Sequence, residues 1–279
     1  MVVTGCIFWW STARKKDRPP EKFKLLRSPG ETQRRRVQKA DENLFSWFFG
    51  GAFIPLVIAS LVLLLAMQLP KSLVLVGAAV AAVLFVASTV CAMIMLLRFL
   101  NRRRNDLLGY LGERAVAEHL EALRESGYRI FHDVPCEGRK TNFNIDHVVV
   151  GPTGVAAIEV KTRRKKKGRE GYEEHVVTYD GQQLVWPWGE DRCGIDQLLS
   201  ESDWLRKFIY NRTGLRVDPK PILALPGWWV TEHVVGAFRV ASHKMVPKIV
   251  CDWKPQPLTP EQIDLISRQL DERCRDVED

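Results

Sequence analysis

Charged residues are missing from two long stretches of the sequence. None occurs among the 28 positions from Asn43 to Pro70 or among the 26 positions from Ser72 to Leu97. A helix needs roughly 20 apolar residues to cross about 30 Å of hydrocarbon, so each stretch is long enough for one membrane span. The predicted bounds are 45–100 for a transmembrane hairpin, about 48–69 and 73–97 for its two spans, and Pro70-Lys71-Ser72 for the turn.

Other features are also missing. Neither span contains Asp, Glu, Lys, Arg or His, so the sequence gives no support to a channel or a transporter. The six cysteines are scattered without a CxxC pair or a Cys/His spacing that suits zinc, which favours free thiols in a reducing compartment. No Gly-rich phosphate loop and no Ser/His/Asp arrangement is present.

The basic residues are concentrated beside the apolar stretches. Residues 1–47 carry a net charge of +6, and four arginines follow the second span, whereas residues 105–279 carry a net charge of −3. The overall charge of +8 is therefore not in itself an indication of nucleic-acid binding. The positive-inside rule predicts that both termini lie in the cytoplasm and that the chain is an integral protein of the inner or plasma membrane.

The segments outside the hairpin differ in character. Residues 1–44 mix charged residues with Pro and Gly without a sustained period, and we expect a flexible basic cytoplasmic tail. Residues 105–279 alternate helical and strand patterns, which predicts an α/β domain that ends in a helix. Predicted helices are 107–126, 196–210 and 259–275, and predicted strands are 128–133, 145–150, 155–161, 175–179, 183–186, 221–225 and 234–240.

Two of these strands place charged side chains together. If residues 151–154 form a turn, Val150 pairs with Val155, and the numbers of paired residues add up to 305. Asp146 then faces Glu159, with Cβ atoms about 5 Å apart. Lys161 lies two positions beyond Glu159 and projects from the same face. A register read from the sequence thus brings two carboxylates and an ammonium group to one place.

Two carboxylates this close between apolar strands need compensation. A divalent cation provides it, and hard oxygen ligands favour Mg²⁺ or Mn²⁺. Such an ion orients water and neutralises charge in phosphodiester hydrolysis, while Lys161 either activates the water or stabilises the phosphate. The competing interpretation is a structural ion-pair cluster at a strand end. Glu113 adds a fourth group, because it shares a helix face with the apolar Val116 and Leu120.

These residues carry a family resemblance. Gly112-Glu113, the strand Asn144-Ile-Asp146-His147 and the segment Ile158-Glu159-Val-Lys161-Thr162 resemble the nuclease-related domain (NERD) family, a branch of the PD-(D/E)xK restriction-endonuclease-like superfamily. The resemblance covers about residues 108–225. It implies a restriction-endonuclease-like α/β core, a mixed central sheet flanked by helices, here preceded by the transmembrane hairpin.

The resemblance also implies roles for individual residues. Asp146 and Glu159 would bind the metal with the carbonyl group of Val160, Lys161 would be the catalytic lysine, and Glu113 the helix acid. Gln197 matches the family's glutamine in position, although Gly194-Ile195-Asp196 precedes it where the family often has Asn-Pro.

A run of basic residues follows Lys161 directly, and it suits contacts to phosphate groups beside the predicted site. A solvated loop and a contact to anionic lipid are the other interpretations. The predicted nucleic-acid-binding residues are Arg163, Arg164, Lys165, Lys166, Lys167 and Arg169.

The sequence thus predicts a membrane-anchored cytoplasmic nuclease that uses Mg²⁺ or Mn²⁺ to hydrolyse nucleic acid, with DNA favoured by analogy alone. RNA remains open as the substrate. The alternative from another class is a non-catalytic module on the same fold that binds nucleic acid or protein at the membrane.

Overall fold

The computed structural model describes residues 24–138, 142–252 and 256–278. It contains five α-helices and eleven β-strands within those ranges. The helices are α1 (Glu31–Ala66), α2 (Lys71–Leu120), α3 (Ile195–Thr213), α4 (Val246–Asp252) and α5 (Pro260–Cys274). The strands are β1 (Lys24–Leu26), β2 (Arg129–Cys136), β3 (Phe143–Gly151), β4 (Gly154–Val160), β5 (Val176–Tyr179), β6 (Leu184–Trp186), β7 (Gly189–Asp191), β8 (Lys220–Ala224), β9 (Trp229–Glu232), β10 (Arg239–Ala241) and β11 (Arg275–Glu278).

The helices α1 and α2 pack against each other as the predicted hairpin and are long and apolar enough to cross a membrane. Their connection is Met67–Pro70, so Lys71 begins α2 instead of lying in the turn. Most large apolar side chains between residues 44 and 97 are exposed on the outside of this pair. A surface of this kind is typical of contact with lipid.

The prediction of a flexible tail differs from the structure wherever residues 1–44 are described. Lys24–Leu26 pairs with the carboxyl-terminal strand β11, and α1 already begins at Glu31. The buried Glu31 carboxylate stabilises the first turn of α1, because it accepts hydrogen bonds from Ser28, Arg34 and Arg35. The remaining part of the predicted tail, residues 1–23, lies outside the described residues.

The predicted amphipathic helix after residue 104 is present, but it is not a separate element. The second apolar span and this helix form the single helix α2, which continues as a 3-10 turn, Glu121–Ser126, and ends at Gly127. The buried Val116 and Leu120 face the domain, as their spacing predicts.

The central sheet has five strands in the order β10-β8-β4-β3-β2. The strands β2, β3 and β4 are antiparallel, while β8 and β10 run parallel to β4. Val150 pairs with Val155 and His147 with Ile158, which confirms the predicted register. Helices α2 and α4 pack on one face of the sheet, and α3 and α5 on the other.

A second sheet was not predicted as a separate unit. It contains four strands in the order β7-β6-β5-β9, and its core is formed by tryptophan, tyrosine and leucine side chains. The predicted hairpin at Asp180-Gly181 is confirmed: β5 and β6 are antiparallel, and Asp180 Oδ1 accepts hydrogen bonds from the backbone of Gln182 and Gln183. The mixed α/β class with flanking helices is confirmed.

One predicted strand, 234–240, is wrong over most of its length. Val234 and Val235 are exposed residues of a loop, and the strands on either side are β9 and β10. β-Branched residues favour strands only where a neighbouring surface covers them. The predicted carboxyl-terminal helix is confirmed together with its Thr259–Gln262 capping box.

Candidate active site

The predicted carboxylates meet where the antiparallel pair β3–β4 separates. The last backbone pair is His147 with Ile158, and one step further Asp146 Oδ2 accepts a hydrogen bond from the backbone N–H of Val160 at 2.7 Å. The side chain of Asp146 thus replaces a backbone acceptor at the end of the ladder. This contact fixes the Asp146 carboxylate beside the residues that follow in β4.

Lys161 connects this strand end to the neighbouring helix. Its ammonium group forms an ion pair with Glu159 and donates a hydrogen bond to Gln197 Oε1 at 2.8 Å. Gly194, at the start of α3, has a φ of +83°, and a Cβ there would lie 2.8 Å from Cγ of Lys161. Gly194, which lies where the family often has Asn-Pro, therefore allows α3 to begin in contact with Lys161.

Glu201 extends the cluster and was not predicted. Gln197 Nε2 donates a hydrogen bond to Glu201 Oε1 at 2.7 Å, one turn further along α3. Glu201 is only 1% exposed and lies close to Glu159. The i, i+4 spacing from Gln197 is the sequence signal that would have identified it.

Glu113 reaches the same site from α2. Gly112 makes this possible, since a Cβ at that position would overlap Thr162 Cγ2. The close approach of helix and loop places the Glu113 carboxylate near Asp146 and Lys161, where it is 4% exposed and hydrogen-bonded to the side chain of Gln33.

The start of α1 forms the remaining wall. The Asp133 carboxylate accepts hydrogen bonds from the backbone N–H and the hydroxyl of Thr32, at 3.0 and 2.8 Å, and from Arg27 at 2.8 Å. Asn144 donates to Thr32 Oγ1 at 2.6 Å and to Asp133 Oδ1 at 2.9 Å. Asp133 has a φ of 48°, which marks a strained backbone at this junction. The sequence signal was the Ser28-Pro-Gly-Glu31 spacing, which is typical of a helix start.

All of these elements enclose one cleft of about 480 Å³. Its lining includes every predicted catalytic or metal-binding residue: Glu113, Asp146, Glu159, Val160, Lys161 and Gln197. The predicted nucleic-acid-binding residues are not part of this lining. Thr32, Gln33 and Arg36 line it from the helix that leads to the first span.

The carboxyl groups that line the cleft, and Glu201 behind Gln197, hold their protons more tightly than free carboxyl groups do. Burial, followed by repulsion from Asp146 and Asp133, raises the pKa of Glu113 to about 9. Burial and Asp146 raise the pKa of Glu201 to about 7. The pKa values of Asp146 and Glu159 are also raised, by burial and then by a neighbouring carboxylate. Burial alone would lower the pKa of Lys161, but the Glu159 carboxylate outweighs it and raises the value.

Residues 108–226, which contain this whole set except the start of α1, match the family model described as "Nuclease-related domain". This segment of the chain is a NERD domain. No curated protein and no solved structure is similar enough to the chain to count as a match.

The donor set of the NERD domain fits a hard divalent cation. The Oε2 atoms of Glu159 and Glu201 are buried, and among the described residues neither accepts a hydrogen bond from an N–H group. The two carboxyl groups are close enough to share a hydrogen bond when one of them is protonated. Within the described ranges, no three Asp, Glu, His or Cys side chains form a ready-made metal cage. The set that the family resemblance implies needs only two such side chains, Asp146 and Glu159, because its third ligand is a backbone carbonyl group.

The basic run of the NERD domain contacts aromatic residues in and beside the second sheet. Arg163 forms an ion pair with Asp191 at 2.7 Å and stacks on Trp186, while Lys165 and Lys166 lie over Trp228 and Trp188. Trp186 and Trp228 are buried, as expected for packing residues, whereas Trp229 is 69% exposed. Of the predicted nucleic-acid-binding residues, Arg163, Lys165 and Lys166 thus lie over tryptophan rings, and Arg169 lies over Tyr172 and pairs with Glu190. Arg164 and Lys167 are exposed.

His147 does not reach the cleft. It is fully buried, and its Nδ1 lies 2.8 Å from Nδ1 of His132. Burial lowers the pKa of both histidines, and the pKa of His132 is about 4. His147 is therefore a core residue.

Proposed function

We propose that this chain is a membrane-anchored, metal-dependent nuclease that hydrolyses phosphodiester bonds of nucleic acid, with DNA as the favoured substrate. The observation that supports this most strongly is the meeting of Asp146, Glu159 and Lys161 in one cleft of a NERD domain. A buried set with more carboxyl groups than cations is typical of a site that works on a phosphate with help from a metal.

Asp146, Glu159 and the carbonyl group of Val160 would hold Mg²⁺ or Mn²⁺. When bound, such an ion supplies Lewis-acid stabilisation of phosphate charge and lowers the pKa of water. The protein contributes the orientation of its ligands: the Val160 N–H holds one oxygen of Asp146, and Lys161 holds one oxygen of Glu159.

Lys161 is the group that contacts the substrate in this proposal. Its ammonium is partly exposed to the cleft and held by Glu159 and Gln197, so it can face a phosphate with little loss of freedom. Gln197 in turn is held by Glu201. Glu113 lines the same cleft, and in the metal-free protein its pKa of about 9 leaves it protonated at neutral pH, so it can donate a hydrogen bond.

The membrane location rests on the apolar hairpin and the distribution of charge. Basic residues flank both outer ends of the hairpin, and Lys71 alone is charged at the turn. We infer that the NERD domain and both termini lie on the cytoplasmic side of the inner or plasma membrane.

One observation favours a second candidate, a non-catalytic module that binds nucleic acid or protein. The ion pair of Lys161 with Glu159 is also what a structural cluster would contain. This alternative predicts binding without turnover.

A nicking assay distinguishes the two. Full-length protein in detergent or nanodiscs would be incubated with supercoiled plasmid, and in parallel with single-stranded DNA and with RNA, in Mg²⁺, Mn²⁺ or chelator. We expect metal-dependent cleavage that Asp146→Asn abolishes and Asp196→Asn leaves intact, because Asp196 is an exposed residue outside the cleft. Cleavage that survives Asp146→Asn would contradict this site, and no cleavage of any substrate would favour the binding module.

A further inference from the structure

Two cavities adjoin each other along the α1–α2 hairpin. The upper cavity, of about 510 Å³, lies where both helices leave the apolar stretch, and the lower one, of about 430 Å³, lies between them further down. They share Asn43 and Trp47 in their linings, so together they form one elongated depression.

The upper cavity is basic. Arg36, Lys39, Arg102 and Arg103 line it, and Asp106 is the acidic residue of its lining. Arg103 is paired with Asp41, which leaves most of the positive charge to the other three cations. A cavity with this charge suits a phosphate group.

The lower cavity is apolar and exists because small or kinked residues face each other there. Gly50 and Gly51 lack side chains, and Pro55 lies inside α1, where it cannot donate a backbone hydrogen bond. Ser88 and Ala92 face them from α2. The remaining residues of this lining are Ser46, Ile54, Cys91 and Met95, together with the shared Asn43 and Trp47.

The junction of the two cavities lies at the level of an aromatic pair. Trp47 stacks on Phe99 with ring centroids 5.4 Å apart, at the ends of the two uncharged stretches. Aromatic residues at this position mark the boundary between hydrocarbon and head groups. The basic cavity is therefore at head-group depth and the apolar cavity at acyl-chain depth.

We propose that the two cavities together bind one anionic phospholipid, with its phosphate head group among Arg36, Lys39 and Arg102 and an acyl chain along Gly51 and Ser88. The proposal rests on the membrane insertion of the hairpin. Nucleic acid would account for the basic cavity, but it has no apolar part that could occupy the lower one. A lipid matches the charge, the apolarity and the order in which they occur along the hairpin.

The test measures lipid retention by the full chain. The protein would be reconstituted in nanodiscs of phosphatidylcholine with a minor fraction of phosphatidylglycerol, then extracted in mild detergent, and its co-purified lipids measured by mass spectrometry. We expect phosphatidylglycerol enriched about tenfold over its share in the disc. The variant Lys39→Gln/Arg102→Gln should lose that enrichment, whereas Arg98→Gln/Arg104→Gln, with the same loss of charge outside the cavity, should retain it.

A second pair of variants tests the acyl-chain part. Ser88 and Thr89 each donate a hydrogen bond to a carbonyl group of their own helix at 2.7 Å, but Ser88 alone of the two lines the cavity. Ser88→Leu should therefore reduce the retained lipid, and Thr89→Leu should not.

Equal loss from both charge variants, or from both leucine variants, would overturn the lipid site. Displacement of the lipid by a short DNA oligonucleotide would overturn it in favour of nucleic acid. A chain that does not enter the nanodiscs at all would overturn the membrane anchoring, and the lipid site with it, but not the proposed hydrolysis of phosphodiester bonds.

Discussion

Lys161 and Gln197 are 36 positions apart in sequence, and their side chains are joined by a hydrogen bond of 2.8 Å. The bond links the end of β4 to the first turn of α3. Gln197 is also bonded to Glu201, so the amide holds the lysine on one side and a buried carboxyl group on the other. Gln197 is thus a positioning residue for Lys161.

The first prediction concerns this amide. Gln197→Met keeps the length of the side chain but removes both hydrogen bonds, so Lys161 should lose its fixed orientation. We expect kcat for nucleic-acid cleavage to fall by about ten- to a hundredfold, with little change in KM, because an oriented charge acts mainly in the transition state. Steady-state cleavage of a fluorogenic oligonucleotide measures both constants.

Asp196→Asn is the matched control for this experiment, since Asp196 precedes Gln197 on the same helix and is bonded to the exposed Arg192. An equal loss of kcat in both variants, or an unchanged kcat in Gln197→Met, would show that the amide does not act through Lys161.

The second prediction concerns pH and Glu113. Its pKa is about 9 in the folded protein against 4.5 for a free glutamate side chain, so the folded state binds this proton more tightly. The tighter binding of this proton adds to the free energy of unfolding. That contribution is fully present below about pH 4.5 and is lost as the pH rises to about 9, by up to about 1.4 kcal/mol per pH unit. Glu113→Gln has no such proton to lose. In chelator at pH 8 we expect this variant to unfold at a higher temperature than the native protein, with the difference vanishing near pH 4.5.

Glu118→Gln serves as the control, because Glu118 lies on the exposed side of the same helix. If the unfolding temperatures of Glu113→Gln and the native protein ran parallel from pH 5 to pH 8, Glu113 would not carry the expected proton.

The third prediction concerns the wall formed by α1. Thr32→Val removes a hydroxyl that donates to Asp133 and accepts from Asn144, and it leaves the Asp133 carboxylate without one of its donors. We expect a loss of about 1–3 kcal/mol in the free energy of unfolding, measured by tryptophan fluorescence in urea. Thr89→Val, whose hydroxyl bonds only to its own helix, should change stability little.

The same wall affects how the nuclease should be assayed. A fragment of residues 105–279 lacks Thr32, Gln33 and Arg36, which line the cleft. We expect this fragment to cleave more slowly than the full chain, and equal rates for the two proteins would show that α1 is dispensable for the reaction.

The fourth prediction concerns the basic run. Replacing Lys165, Lys166 and Lys167 by Gln should weaken nucleic-acid binding and make the slope of log K against log[salt] less steep by about 0.7–0.9 for each phosphate group that the protein no longer neutralises. The matched control replaces three exposed cations that do not line the cleft, Arg206, Lys207 and Arg216. Fluorescence anisotropy over a series of salt concentrations measures the slope for each variant. Identical slopes for the two variants would show that the basic run is a solvated loop that does not contact nucleic acid.

Sequence reasoning found the site where local rules apply. The alternation of β3 and β4 and a short turn fix which residues face each other, so Asp146, Glu159 and Lys161 followed from counting. The helical period placed Glu113 on the buried side of α2. These relations depend only on neighbours within one hairpin or one helix.

The features that the sequence did not predict depend on contacts between distant parts of the chain. Nothing local pairs Thr32 with Asp133, because the two are 101 positions apart. The spacing of Ser28 and Glu31 indicates where a helix begins, but not what its first turn contacts. The amino-terminal segment has few apolar residues, so its composition indicated disorder, whereas buried ion pairs and the pairing of β1 with β11 hold it in place. The division into two sheets was missed for a similar reason, since strand order is set by packing across the whole domain.

The length of α2 has a consequence for substrate choice. The helix continues unbroken from the end of the second span at Leu97 to Glu113, and these 16 residues correspond to about 24 Å. With the hairpin inserted as proposed, the cleft is held at this fixed height by two packed helices without a flexible linker. Only nucleic acid that comes within that height of the bilayer would be cut, so the stiffness of the tether selects the substrate by its distance from the membrane.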